Sequence, residues 1–131
     1  RRRRHATALD AGLGSLPGLR VTVPPDGVGH AYYKYSVFVR PEALAPGWDR
    51  DRIMAAVSAE GVPCLQGACA EIYREKAFEG VPGGRPPARL PVARELGETS
   101  LMLLVHPTLG ERDIDDTVAA FGKVMAVATS S

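Results

Sequence analysis

The side chains that could do chemistry in this sequence are few and loosely spaced. Cys64 or Cys69 could meet His30 or His106 as a thiol nucleophile with its base, but the pair works only if the base stands within hydrogen-bond reach of the thiol. No local signature supports that pairing, and two structural cysteines account for the same residues. The three histidines (His5, His30 and His106) are scattered. A structural zinc site needs four spaced ligands, so no metal is expected. Asp113, Asp115 and Asp116 open an amphipathic stretch, where carboxylates offset a helix dipole rather than move protons. Gly12-Leu-Gly14 lacks the third glycine and the preceding strand of a phosphate-binding turn. No set of residues here is catalytic by itself.

One segment is better suited to binding. Gly61-Val-Pro-Cys-Leu-Gln-Gly-Ala-Cys-Ala-Glu-Ile-Tyr-Arg-Glu-Lys-Ala-Phe78 is long for a connection and rich in small residues, with polar side chains at intervals. Long ordered loops are disproportionately functional. Gln66, Glu71 and Tyr73 could hydrogen-bond a polyhydroxylated ligand. Gly67, Ala68 and Cys69 would let the backbone come close to it. The same stretch also reads as a plain crossover between two elements, and the residues leave both open.

The elements that must position these groups follow from periodicity. Arg1 to Leu16 reads as a helix, with Ala6, Leu9, Leu13 and Leu16 on one stripe and Pro17-Gly18 as its stop. Leu19 to Val23 is a short strand. Tyr32 to Val39 is the clearest strand, with Tyr33, Tyr35, Val37 and Val39 facing a core. Asp49 caps a helix whose buried stripe is Ile53, Ala56 and Val57, with Gly61 at its stop. Val62 to Gly67 is too short to assign, and Ala70 to Phe78 is a possible helix. Pro91 starts another helix through Leu96, with Gly97 after it. Leu101 to Val105 is an uninterrupted apolar run that suits a central strand. Thr108-Leu-Gly-Glu111 has the capping-box pattern, and the helix that follows carries Ile114, Val118, Phe121 and Met125. Three strands with helices grouped beside them predict an α+β layer, a small, mostly antiparallel three-stranded sheet with helices packed on one face.

Composition narrows the function classes. The chain has 131 residues, which is one domain's worth, and 45% of them are hydrophobic, enough for a core. Lys and Arg number 16 against 15 Asp and Glu, a balance that argues against general nucleic-acid affinity. Arg1 to Arg4 is a phosphate-binding arm or a solvated helix start. No aromatic residue interleaves with these arginines, which favours the solvated start. No apolar run approaches the roughly 18 residues of a membrane span. No secretory signal is visible, and two free thiols fit a cytoplasmic location. A chain opening on Arg1 suggests a processed or excised product.

Three blocks taken in order carry a resemblance. The first is His30-Ala-Tyr-Tyr-Lys-Tyr-Ser-Val-Phe-Val39. The second is Arg52-Ile53 through Glu60-Gly61-Val62, followed by Ile72-Tyr-Arg-Glu-Lys-Ala-Phe78. The third is Leu90-Pro-Val-Ala-Arg-Glu-Leu96, then Leu101-Met-Leu-Leu-Val-His-Pro107 and the capped last helix. Together they resemble the C-terminal domain of the DegT/DnrJ/EryC1/StrS aminotransferases, over nearly the whole chain. The resemblance implies the small domain of the aspartate-aminotransferase-like fold, with residues 1–131 as a single C-terminal domain and the catalytic large domain outside this chain. It implies transfer of an amino group to a nucleotide-linked keto sugar by an enzyme that uses pyridoxal phosphate. Its partners would be its own N-terminal large domain, the nucleotide-sugar substrate and a second copy in a homodimer. It further implies Gln66, Gly67, Cys69, Tyr73, His30 and Tyr33 as substrate-binding residues. Pyridoxal phosphate chemistry needs a Schiff-base lysine. Lys34, Lys76 and Lys123 lie in no context resembling the family's lysine loop, so this chain alone is expected to be inactive and to hold no cofactor. One departure stands out. Many members have an aromatic residue or histidine followed by Pro-x-Pro where this chain reads Cys64-Leu-Gln-Gly-Ala-Cys69. Tyr73 stands where a histidine is common and Glu75 where a glutamine is common, which bears on the identity of the sugar.

Two other readings compete: a free-standing small-molecule-binding or regulatory α+β module, and a basic-arm nucleic-acid binder. A steep salt dependence of DNA binding would mark the last. A lysine-bearing domain of about 250 residues upstream, within the usual size range of a domain, would mark the aminotransferase.

Overall fold

The computed structural model describes residues 1–130. Helix α1 (Arg2–Leu13) leads to β1 (Leu19–Val21), β2 (Tyr35–Val39) and α2 (Arg50–Ala59). Then come β3 (Cys64–Gln66), a long crossover with two 3₁₀ turns (Ile72–Arg74 and Lys76–Phe78), α3 (Pro91–Thr99), β4 (Ser100–Leu103) and α4 (Glu111–Ala128). All strand pairs are antiparallel, in the order β1-β2-β4-β3. The sheet therefore has four strands, which corrects the three expected. The added strand is the unassigned stretch around Cys64. Three residues with one inward side chain give no readable alternation, and only backbone pairing with β4 makes them a strand.

Most of the other elements stand where the sequence places them, with shifted ends. Residues Tyr35, Val37 and Val39 of β2 are buried, as the period of two requires. Tyr33 is not: it is 75% exposed. The alternation breaks at Tyr32, whose φ is +47° and whose N–H donates to its neighbour His30 Nδ1 at 3.1 Å. That turn ends the strand pattern before it reaches Tyr33. β4 is buried along its whole length and central, because Leu101 pairs with both Val37 and Gln66.

Helix starts and stops follow their caps. The Asp49 carboxylate accepts the Arg52 N–H at 2.8 Å and starts α2. The chain leaves that helix through Gly61 at φ +87°, in the left-handed region that favours glycine. The capping box of α4 is not built on Thr108 and Glu111. Gly110 is the cap, and its N–H donates to Asp113 Oδ2 at 2.7 Å, while the Thr108 hydroxyl is taken by His106 Nδ1 at 2.8 Å. α3 runs through Gly97 to Thr99 rather than stopping at Leu96. The segment Ala70 to Phe78 forms two 3₁₀ turns instead of a helix.

α1, α2 and α4 pack together, with α1 against β1 and α2 against β3 and β4, while α3 rests on β2. Their shared core includes Leu9, Leu13, Tyr35, Val37, Ile53, Leu101, Phe121 and Met125. Each fully buried side chain of this kind contributes about 1.5–3 kcal/mol before entropy is counted. Val118 is only partly buried and sits over Gly12, where an added methyl would come within 2.6 Å of its Cγ2. Gly12 thus sets the α1–α4 approach. The Tyr35 hydroxyl donates to Asp10 Oδ1 at 2.7 Å and ties β2 to α1.

Candidate functional site

The candidate site lies where β3 runs out into the crossover. Gln66 pairs with Leu101 and is exposed. Just beyond it the backbone passes so close to β4 that a Cβ on Gly67 would fall on the Ser100 hydroxyl. Ala68 and Cys69 then lead outward. The Cys69 thiol donates to Glu75 Oε1 at 3.3 Å, and that carboxylate raises its pKa. Burial raises the Cys64 thiol to about 11. Neither sulfur is thereby activated as a nucleophile, because the thiolate is the reactive form.

Glu71 is the hub of the loop, with 13% of its side chain exposed. Arg89 grips it with two nitrogens, Nε to Oε1 at 2.9 Å and Nη2 to Oε2. The Tyr73 hydroxyl donates to Oε1 at 2.6 Å, and Arg74 reaches Oε2 at 3.5 Å. Hydrogen bonds from Arg89 and then Tyr73 lower the Glu71 pKa to about 2, as expected when the charged form is the one being bonded. The Tyr73 oxygen also accepts the Leu90 N–H at 3.0 Å. Its hydroxyl is therefore fully engaged inside the loop. Glu98 on α3 holds the far side, taking Arg89 at 3.4 Å and Arg94 at 2.9 Å. Bidentate arginine–carboxylate pairs fix geometry as well as charge. Glu71, Tyr73, Arg89 and Glu98 form a clasp that draws the two ends of the crossover together against α3.

The clasp borders a cleft of about 400 Å³ lined by Gln66, Cys69, Arg74, Glu75, Arg94 and Gly97, among others. Arg50, with 10% of its side chain exposed, is pinned at its back by the carbonyls of Ser100 at 3.0 Å and Gly97 at 3.4 Å. The cleft offers an amide, guanidinium forks and carboxylates, and its thiol, Cys69, sits beside a Glu75 carboxylate that disfavours the thiolate. Such a set binds and orients a polar ligand.

His30 and Tyr33 stand elsewhere. Tyr35 pairs with Leu103, whereas Gly67 adjoins Ser100, so the two groups sit at opposite ends of the sheet. His30 lines a separate cleft of about 290 Å³ with Tyr32, Lys34 and Ser36. The Tyr33 ring lies between Arg2, at 6.0 Å, and Lys34, at 5.6 Å. The structure brings Gln66, Gly67, Cys69 and Tyr73 to one end and leaves His30 and Tyr33 at the other. Sequence reasoning missed Arg50, Arg89, Arg94 and Glu98, which come from separate elements and share no local pattern.

Residues 1–122 match the family model of the DegT/DnrJ/EryC1/StrS aminotransferase family. An aminotransferase of known structure from Psychrobacter cryohalolentis is 42% identical with a TM-score of 0.89, over 98% of this chain and 34% of its own length. A DegT DnrJ EryC1 StrS aminotransferase from Brucella abortus is 26% identical with a TM-score of 0.73, over 92% of this chain and 29% of its own. A curated relative, the dTDP-4-dehydro-2,3,6-trideoxy-D-glucose 4-aminotransferase of Saccharopolyspora spinosa, is 29% identical over 95% of this chain and 29% of its own length. The chain thus spans about a third of the proteins it matches.

Proposed function

The chain belongs to the DegT/DnrJ/EryC1/StrS aminotransferase family, and from that premise we propose that it is the C-terminal domain of an enzyme that aminates a nucleotide-linked keto sugar. The observation that carries this reading is the solved aminotransferase that matches 98% of this chain with only 34% of its own length at a TM-score of 0.89. The name of the curated relative, a dTDP-sugar 4-aminotransferase, supports the substrate class.

Members of this family are pyridoxal-phosphate-dependent. The residues present do not fit that cofactor by themselves. Lys34 and Lys76 are exposed at the surface, and Lys123 Nζ is held by Glu60 at 2.7 Å. In this reading the Schiff-base lysine and the carbon–nitrogen chemistry belong to the remaining two thirds of the enzyme, which works as a homodimer. The contribution of this domain is to bind and orient. Gln66 and the guanidinium groups of Arg74 and Arg94 present donors to sugar hydroxyls, and Cys69 lines the wall beside them. Gly67 and Tyr73 act one step back by holding the loop in place. His30 and Tyr33 can serve only at a second contact, with the nucleotide portion, where Arg2 and Lys34 flank the Tyr33 ring.

The test is Gln66→Ala in the intact enzyme. One lost hydrogen bond to substrate, worth about 0.5–1.5 kcal/mol and more when its partner is left unsatisfied, should lower kcat/KM for the sugar nucleotide about tenfold. An unchanged kcat/KM would make this end of the sheet purely structural.

A further inference from the structure

A second cleft, of about 220 Å³, opens between the first turns of α1 and α4, far in sequence from the loop. It is lined by Arg4, His5, Ala8, Glu111, Ile114 and Asp115. His5 is 2% exposed, yet neither ring nitrogen has a hydrogen-bond partner among the described residues. A buried imidazole left so costs stability, because one nitrogen must donate and the other accept. Native structures retain very few such groups, and each calls for a reason. The rest of the cleft suggests one. Glu111 is already paired with Arg4 at 3.3 Å, while Asp115 takes part in none of the ion pairs among the described residues. Ala8 and the buried Ile114 supply apolar wall. The cleft therefore combines an unmet acceptor nitrogen, an unpaired carboxylate and a short apolar wall, in a space the size of one long side chain.

We propose that this cleft is a socket in which one cationic side chain, Arg or Lys, of the enzyme's catalytic domain locks onto this domain, with His5 and Asp115 as its acceptors. The inference rests on the aminotransferase reading, since that reading supplies the occupant. Charge complementarity favours a cation: the stem lies along Ala8 and Ile114, and the head donates to the imidazole nitrogen and the carboxylate. Glu111 and Asp113 in the first turn of α4 offset the positive end of its dipole, whereas the first turn of α1 carries Arg2, Arg3 and Arg4 and no acid, so the attraction for a cation comes from Asp115 and the His5 nitrogen and not from the helix ends. The His5 side chain is almost wholly buried, which gives the socket one fixed wall.

Carboxyl footprinting with a water-soluble carbodiimide and an amine, read by mass spectrometry, tests this on the intact enzyme and on residues 1–131 side by side. Asp115 is exposed here and should be labelled readily in the short chain, with labelling lost in the intact enzyme. His5→Leu is close to histidine in volume and offers no nitrogen, so in the intact enzyme it should restore labelling. If that variant does not fold, the wild-type comparison decides. Equal labelling of Asp115 in both forms of an enzyme that transaminates would overturn the socket and leave the aminotransferase reading standing. Protection of Asp115 in the short chain, together with a dimeric mass, would replace the catalytic domain with a second copy and overturn the occupant. An intact enzyme without transaminase activity would sink the functional reading and, with it, the assignment of the occupant.

Discussion

Gly67 separates two explanations of the loop, because a ligand and a neighbouring strand would each ask for a glycine there. The structure puts Ser100 at the spot a side chain would need: a Cβ on Gly67 would lie 2.6 Å from the Ser100 Cβ and closer still to its hydroxyl. Rotating the hydroxyl away relieves only the second contact. Ser100 is 7% exposed in the central strand, so it has little room to retreat. Gly67 is not among the positive-φ residues, so alanine there adds no backbone strain and the steric term stands alone. Overpacking of this kind costs about 1–3 kcal/mol, offset by about 0.4–1 kcal/mol from the stiffer unfolded chain. Gly67→Ala should therefore destabilise residues 1–131 by a net of up to about 2.5 kcal/mol in urea unfolding. Ser100→Gly removes both clashing atoms and itself costs about 0.5–1 kcal/mol as a glycine within a strand. In the double variant the clash is gone, so the two changes should couple favourably by about 1 kcal/mol. A neutral Gly67→Ala with no coupling to Ser100 would refute the packing argument. The glycine would then belong to ligand approach, visible as a raised KM in the intact enzyme with stability unchanged.

The sequence carried the fold wherever one element specified itself. The four-residue spacing from Ile114 to Val118 and from Phe121 to Met125 lies within an 18-residue helix, and Asp49 caps α2 where its side chain chemistry says it should. It failed where structure is made by pairing across distance. β3 exists because Cys64 and Gln66 find Leu103 and Leu101, and nothing in three residues announces that. Tyr33 was placed inward by alternation alone, and one positive φ at Tyr32 undid it. The candidate site shows the same limit. Gln66, Cys69 and Tyr73 were legible as polar residues among small ones. Their division of labour was not: Tyr73 is engaged by Glu71 and by the Leu90 N–H, and Glu71 is itself fixed by Arg89, 18 positions on and beyond a proline-rich loop, a spacing that leaves no local pattern.

Three further outcomes are expected. Phe121 is fully buried, so Phe121→Ala should cost about 3–5 kcal/mol in urea unfolding, and a loss below about 1 kcal/mol would mean its neighbours close the space. Tyr73→Phe in the intact enzyme should leave the fold intact yet lower kcat/KM for the sugar nucleotide by loosening the loop. The drop should be smaller than that of Gln66→Ala, and the reverse order would make the Tyr73 hydroxyl a direct substrate contact. The clasp itself should be sensitive to acid. Arg89 and Tyr73 stabilise the ionised Glu71 and bring its pKa down from 4.5 to about 2. The unfolded chain therefore binds this proton more readily than the folded one, so the contribution of the clasp is complete above the ordinary carboxylate pKa and fades as pH falls toward the folded value. Glu71→Gln removes that dependence. The difference in Tm between wild type and Glu71→Gln should be constant above pH 4.5 and shrink steadily as pH falls toward about 2. Carbon NMR of the Glu71 carboxyl reads the same event directly. A midpoint near the ordinary glutamate value would mean that Arg89 does not hold Glu71 in solution, and that the loop must be ordered by something other than the clasp.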